Sequence, residues 1–252
     1  GRIVLENGVI LINKSSSTGY TDGMIIKYSE DGVLEWVKTI GGRDSERIED
    51  VSETSDGGYI VGGDFGIKSI NLGNGVTIKG SGIIKYSSDG EVQWARMIGV
   101  SIYDHITSVA EISDGNYIVG GIFEGSLDLG NGVILSTNST NISSKDGILI
   151  NYTVADIPEI IVKEAQVIGG SNDDRIYSVA ETRDGGYIVG GIFQSSSIDL
   201  GNGVMLSNNS TNINYNDGML IKYNSEGIVE WAKRIGGSND DRIYSVAETR
   251  DG

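Results

Sequence analysis

Four charged positions return at fixed places along the chain, and their types define the chemistry open to it. The first is acidic: Glu46, Asp104, Asp174 and Asp241. A basic position follows at once: Arg47, His105, Arg175 and Arg242. A glutamate comes next, at Glu53, Glu111, Glu181 and Glu248, and then an aspartate, at Asp56, Asp114, Asp184 and Asp251. Each of these aspartates precedes a glycine, where a carboxylate bonds the amides of a turn. The acid–base pair is suited to joining neighbouring sheets. The glutamates offer a second use: if all four copies faced one axis, their oxygens would attract a cation, with Ca2+ the best match to oxygen ligands.

Other chemistry finds less support. Ser-Asn-Asp-Asp at 171–174 and 238–241 lacks the alternating spacing of a calcium loop. His105 is the single histidine and there is no cysteine, so the usual zinc ligand sets are missing. Neither a nucleophile elbow nor a phosphate-binding or dinucleotide-binding glycine pattern is present. Paired carboxylates hydrolyse glycosides in some proteins, but here they repeat with the chain, whereas catalysis needs one asymmetric site. The reading is therefore not an enzyme and no obligatory cofactor. Trp36, Trp94 and Trp231 follow Ser/Asp/Gly turns and read as packing residues. The polar stretches containing Asn138-Ser139-Thr140 and Asn209-Ser210-Thr211 read as surface loops.

The elements that must carry these residues are written in a repeat. IGGSNDDRIYSVAETRDG occupies 168–185 and returns unchanged at 235–252, with looser copies at 40–57 and 98–115. The starts at Ile40, Ile98, Ile168 and Ile235 are spaced by 58, 70 and 67 residues. GYIVGG at 58–63 returns as NYIVGG at 116–121 and as GYIVGG at 186–191. Asn-Gly-Val begins at Asn7, Asn74, Asn131 and Asn202. Each unit reads as about four strands, exemplified by 176–182, 186–193, 217–223 and 228–236. Asp-Gly-Gly makes a tight hairpin between the first two. No stretch keeps a helical period over three turns.

The motif D-G-G-Y-I-V-x-G … I-K-x-x-x-x-G-x-x-x-W-x-K-x-x-G-G resembles the blades of bacterial and archaeal surface β-propeller repeat proteins. The matching residues are Asp184, Gly185, Gly186 and Tyr187, then Lys222, Gly227 and Trp231, then Lys233, Gly236, Gly237 and Asp241. The resemblance spans nearly the whole chain and implies an all-β propeller, or an arc of one, on an exported scaffold. The domain reading is a single repeat domain over 1–252, with units 1–57 (partial), 58–115, 116–185 and 186–252. The third unit departs from the pattern. It has Asn151 in place of lysine, no tryptophan, and the only proline, Pro158, so irregular outer strands are expected there. Val51, Val109, Val179 and Val246, the three tryptophans, and Tyr59, Tyr117 and Tyr187 are expected in the core.

Composition bounds the partners. The chain has 252 residues, 38 of them glycine, and a formal net charge of −16 from 35 acidic and 19 basic residues. Such a surface repels phosphate backbones and anionic membranes, so neither nucleic acid nor membrane insertion is expected. Secretion or display on a cell surface is expected, as is a protein or glycan ligand of unspecified identity. The leading function is an interaction module. The alternative is a structural subunit of an extracellular assembly or filament, self-associating through sheet edges. A glycoside hydrolase or lyase on a propeller scaffold ranks third. The two ends leave open whether Arg2-Ile3-Val4 takes the place of a GYIVGG strand and closes a ring with 243–249, whether a second chain supplies that strand, or whether the repeats continue.

Overall fold

The computed structural model describes residues 2–5, 8–14, 19–112, 115–139, 143–156, 159–210, 212 and 214–251. Strands make up more than half of these residues, and there is no α-helix among them. Three four-stranded antiparallel sheets follow one another along the chain. Sheet A joins β5 (Arg47–Glu53), β6 (Tyr59–Asp64), β9 (Ser81–Tyr86) and β10 (Val92–Gly99). Sheet B joins β11 (His105–Ile112), β12 (Asn116–Glu124), β15 (Lys145–Asp156) and β16 (Glu159–Ile168). Sheet C joins β17 (Asp174–Glu181), β18 (Tyr187–Phe193), β21 (Asp217–Tyr223) and β22 (Val229–Ile235). Within each sheet the strands pair in chain order. Between the second and third strands the chain makes a separate two-stranded hairpin: β7 (Ile70–Gly73) with β8 (Val76–Ile78), β13 (Ser126–Gly130) with β14 (Val133–Ser136), and β19 (Ser197–Asp199) with β20 (Met205–Ser207).

Turn chemistry fixes these hairpins. Asn74, Asn131 and Asn202 take φ of 51°, 52° and 53°, and the glycine after each is also positive. That conformation is the one a tight Asn-Gly hairpin turn requires. The N-terminal region follows the same sequence pattern. β1 (Arg2–Val4) pairs with β2 (Ile10–Ile12), and Asn7-Gly8-Val9 precedes β2 in the sequence as Asn74-Gly75 precedes β8, which begins at Val76. Residues 2–4 are therefore the outer arm of an insertion hairpin and not a GYIVGG strand, which removes ring closure by strand exchange with them. β3 (Gly23–Tyr28) and β4 (Leu34–Ile40) then pair as the third and fourth strands of a sheet.

Sheets stack through a glycine. Gly62, Gly120 and Gly190 lie at the middle of their strands, and a Cβ at each would meet the isoleucine and valine of the next first strand. The pairs are Gly62 with Ile106 and Val109, Gly120 with Ile176 and Val179, and Gly190 with Ile243 and Val246. Residues 243–249 are thus laid on sheet C as β17 is laid on sheet B, although they join no strand ladder among the described residues. Burial follows this stacking. Val109, Val179, Tyr117, Tyr187 and Trp94 are buried, and Trp36, Tyr59 and Val246 are half-buried. Val51 is 41% and Trp231 38% exposed, against expectation. Among the described residues no strand supplies Val51 with the glycine that receives its counterparts, and no turn covers Trp231.

In the third unit β15 and β16 pair over most of their length. Their register shift at Asn151/Tyr152 recurs at Lys27/Tyr28 and Lys222/Tyr223, and a second shift at Val154/Asp156 is absent from those two pairs, an irregularity of the kind expected there. Strand-favouring β-branched and aromatic residues, Ile148, Ile150, Tyr152, Thr153 and Val154 on one strand and Ile160, Ile161 and Val162 on the other, support this pairing. Pro158 lies outside the described residues.

Candidate functional site

The recurring charges are engaged in building the sheets. Asp56 accepts the Thr54 hydroxyl at 2.6 Å, the Gly58 N–H at 2.9 Å and the Lys85 ammonium at 2.9 Å. Burial works to raise its pKa, but these three donors prevail and hold it at about 2. Asp184 repeats the arrangement. Lys222, Thr182 and Gly186 hold its carboxyl well below the usual carboxylate range. Asp251 keeps the threonine partner, Thr249, at 2.8 Å. Asp114 lies outside the described residues. In its unit both the lysine and the threonine are replaced, by Asn151 and Ile112.

The recurring glutamates reach across to the preceding hairpin. Glu111 accepts the Ser55 N–H, and Glu248 accepts the Arg183 N–H at 3.0 Å. Glu53 and Glu181 are exposed. Among the described residues no three His, Cys, Asp or Glu side chains are grouped so as to hold a metal ion. The acids at the start of the first strands close the loop before them: Glu46, Asp104, Asp174 and Asp241 accept N–H groups from Gly42, Ser101, Gly170 and Gly237. The basic position does not join sheets as a rule. Arg47, Arg175 and Arg242 pair locally with Glu49, Asp173 and Asp240.

Trp36 and Trp94 fasten one sheet to the next. Trp36 Nε1 donates to Ser88 O at 3.0 Å, and its ring meets Tyr59 edge-on at 5.6 Å. Trp94 meets Tyr117 in the same way at 5.5 Å. In the third unit Glu164 stands in the tryptophan position and packs on Gly227, while Gln166 donates to Gly227 O. The two Asn-Ser-Thr stretches also contact the frame. Asn138 Nδ2 donates to Gly169 O, and the Asn209 N–H goes to Asp217. Thr140 and Thr211 lie outside the described residues.

One seam breaks the pattern. Between the insertion hairpin and the third strand, sheet B spends residues 137–144 and sheet C residues 208–216 on a polar loop. In sheet B this loop covers the turn of the next sheet, with Asn138 on Gly169 and Ser139 on Ser171. Sheet A has only Lys79 and Gly80 at that point, so the turn at 99–102 stays uncovered. Val100 is 59% and Ile102 68% exposed. Beneath them three residues depart from the repeat together. Asp64 replaces the isoleucine of Ile122 and Ile192, Ser81 replaces the glycine of Gly147 and Gly218, and His105 replaces arginine.

These three residues meet. Ser81 Oγ lies 2.9 Å from Asp64 Oδ1, and His105 Nδ1 lies 2.7 Å from Asp64 Oδ2. The Ser81 hydroxyl also faces the carbonyl of Asp104. Together with Ser45, Ser101 and the turn at 99–102 they line a cleft of about 170 Å³. Burial raises the Asp104 carboxyl above its ordinary value, against the N–H groups that reach it. His105 Nδ1 faces Asp64, and Nε2 has no partner among the described residues; Nε2 accepts in the neutral imidazole with its hydrogen on Nδ1 and donates in the imidazolium. The carboxylate stands between serine and histidine. His105 therefore does not take the serine proton, and the arrangement is not that of an activated nucleophile. It is a cleft rich in hydrogen-bond acceptors. Sequence reasoning noticed His105 alone. The signal for the rest was the short 58-residue spacing combined with the departures at Asp64 and Ser81. No family model and no curated protein matches this sequence.

Proposed function

We propose that the chain forms successive blades of a β-propeller, or an arc of one, on an exported or surface-displayed scaffold, and that it serves as an interaction module. The first strands support the propeller reading. Asp50 Oδ2 accepts the Val109 N–H at 2.9 Å, Ser108 Oγ the Val179 N–H at 3.1 Å, and Ser178 Oγ the Val246 N–H at 3.2 Å. The same link one unit apart, made three times, is what innermost strands ranged about a common axis would make. It also occupies outward N–H groups that an edge strand otherwise leaves bare.

One observation carries the functional reading. The residues that recur are engaged in building and joining the sheets, while the polar loops at 137–144 and 208–216, which share Asn-Ser-Thr-Asn-Ile at 138–142 and 209–213, are additions to sheets B and C that sheet A lacks. Polar surface loops on a fixed frame are the usual place for recognition. The test is binding of the labelled chain to a glycan array and to a displayed-peptide library. It is run beside a variant in which 136–146 and 207–217 are each replaced by Lys-Gly, the connection used at 79–80. The expected result is a ligand that the wild type binds and the variant does not, with both keeping one cooperative thermal transition. A ligand bound equally by the two, or none on either array, would contradict the reading.

A further inference from the structure

We propose that the cleft between sheets A and B is a binding site for a primary alkylammonium group, one carried by a small amine or a lysine side chain. The inference does not depend on the loops at 137–144 and 208–216, because the cleft exists where such a loop is missing.

The occupant follows from what the cleft offers. Its side-chain groups are the carboxylates of Asp64 and Asp104, the Nε2 of His105, and the hydroxyls of Ser45, Ser81 and Ser101. The Ser81 hydrogen is committed to Asp64 or to the Asp104 carbonyl, and Asp64 fixes the Nδ1 hydrogen of His105. Ser45 Oγ and Ser101 Oγ accept the N–H groups of Thr21 and Tyr103, and Asp104 accepts those of Ser101 and Glu124; each carboxylate oxygen keeps a further lone pair, so the charged floor favours a cationic donor. An ammonium brings three donors and no acceptor. The charge agrees: the cleft carries carboxylates on a chain of net charge −16, a field that concentrates cations. The rim supplies the second half of the match. Ile67, Val100 and Ile102 are 61%, 59% and 68% exposed around the polar floor. An apolar rim over an acidic floor fits an alkyl stem ending in a charged head.

A purely structural origin would require the same departures to serve only as a pin. Sheets B and C are joined without them, with Ile122 and Gly147 in the places of Asp64 and Ser81. The pin alone also leaves unexplained why the covering loop is missing at the one seam where the three polar residues occur.

The test is NMR titration of the isotopically labelled chain at pH 8 with n-butylammonium chloride, n-butanol and the peptide acetyl-Gly-Lys-Gly-amide. We expect butylammonium to give saturable shifts confined to His105, Ser81 and the methyl groups of Ile67, Val100 and Ile102. Butanol should not compete. Asp64→Asn, and His105→Arg, which installs the residue used at the other seams, should each weaken binding about tenfold or more, the effect of losing a charge-assisted hydrogen bond. His105→Arg should keep the wild-type thermal transition, separating loss of binding from loss of fold. Tighter binding of the peptide would assign the source to a lysine of a partner protein, and equal binding would assign it to a free amine. Butanol binding as well as butylammonium, shifts scattered over the surface, or undiminished affinity in Asp64→Asn would overturn the proposal.

Discussion

At the scale of single residues, the carboxylates of this chain divide by what surrounds them. Asp56 and Asp184 sit at hairpins with a lysine and a threonine, and they stay ionised to low pH. Glu46, Asp146 and Asp174 sit in the seams. Burial is the main force on each. Asp22 and Asp44 add repulsion at Glu46, and Asp174 and Asp173 do so at Asp146; the net effect lifts Glu46 to about 7 and Asp146 and Asp174 to about 6. A carboxyl whose pKa is higher in the folded chain binds more protons folded than unfolded over the interval between the two values. Its contribution to stability is then fully present below the unfolded value, roughly 4, and is lost as pH rises through 6 to 7. Asp56 works in the opposite sense, but its loss begins only as pH falls from about 4 toward 2. The melting temperature should therefore be higher at pH 5 than at pH 8, and Asp146→Asn should flatten the difference. A melting temperature that rises from pH 5 to pH 8 would refute this ordering of the seam carboxylates.

At the scale of elements, the turns and the glycine-centred strands were readable because their chemistry is local. Asn74, Asn131 and Asn202 specify their turn by themselves, and Tyr-Ile-Val-Gly-Gly marks the second strand wherever it occurs. The role of the first of those two glycines was not readable, since its reason lies in another sheet. Gly120 leaves room for Ile176 and Val179, and a Cβ would fall 2.7 Å from the isoleucine. Gly120→Ala should destabilise the chain by about 1–3 kcal/mol through overpacking, measured by denaturant unfolding. A neutral effect would mean that the sheets stand farther apart than described. The outer strands of the third unit were legible in part: an extra register shift at Val154/Asp156 breaks their ladder, yet the pairing persists. Pro158 and the missing tryptophan were local marks of disorder in the pattern, but cross-strand pairing over 147–168 outweighs them. Glu164 and Gln166 take over the contact with the next turn.

At the scale of the whole molecule, the all-β class and the repeated four-stranded sheet were legible, because the same pattern is written several times. The cleft was not. Its parts come from two sheets, and each part looks like a minor variation within its own unit. Asp64, Ser81 and His105 gain meaning only when the sheets are stacked and the loop of their seam is found to be short. What makes the stack is the link from one first strand to the next, and amide hydrogen exchange tests it directly. Asp50→Ala, Ser108→Ala and Ser178→Ala each remove one acceptor. Each should speed exchange at a single amide one unit further on, Val109, Val179 or Val246 respectively, and leave the other two protected. Unchanged exchange at the paired valine, or an equal loss of protection at all three, would contradict a stack built by these contacts.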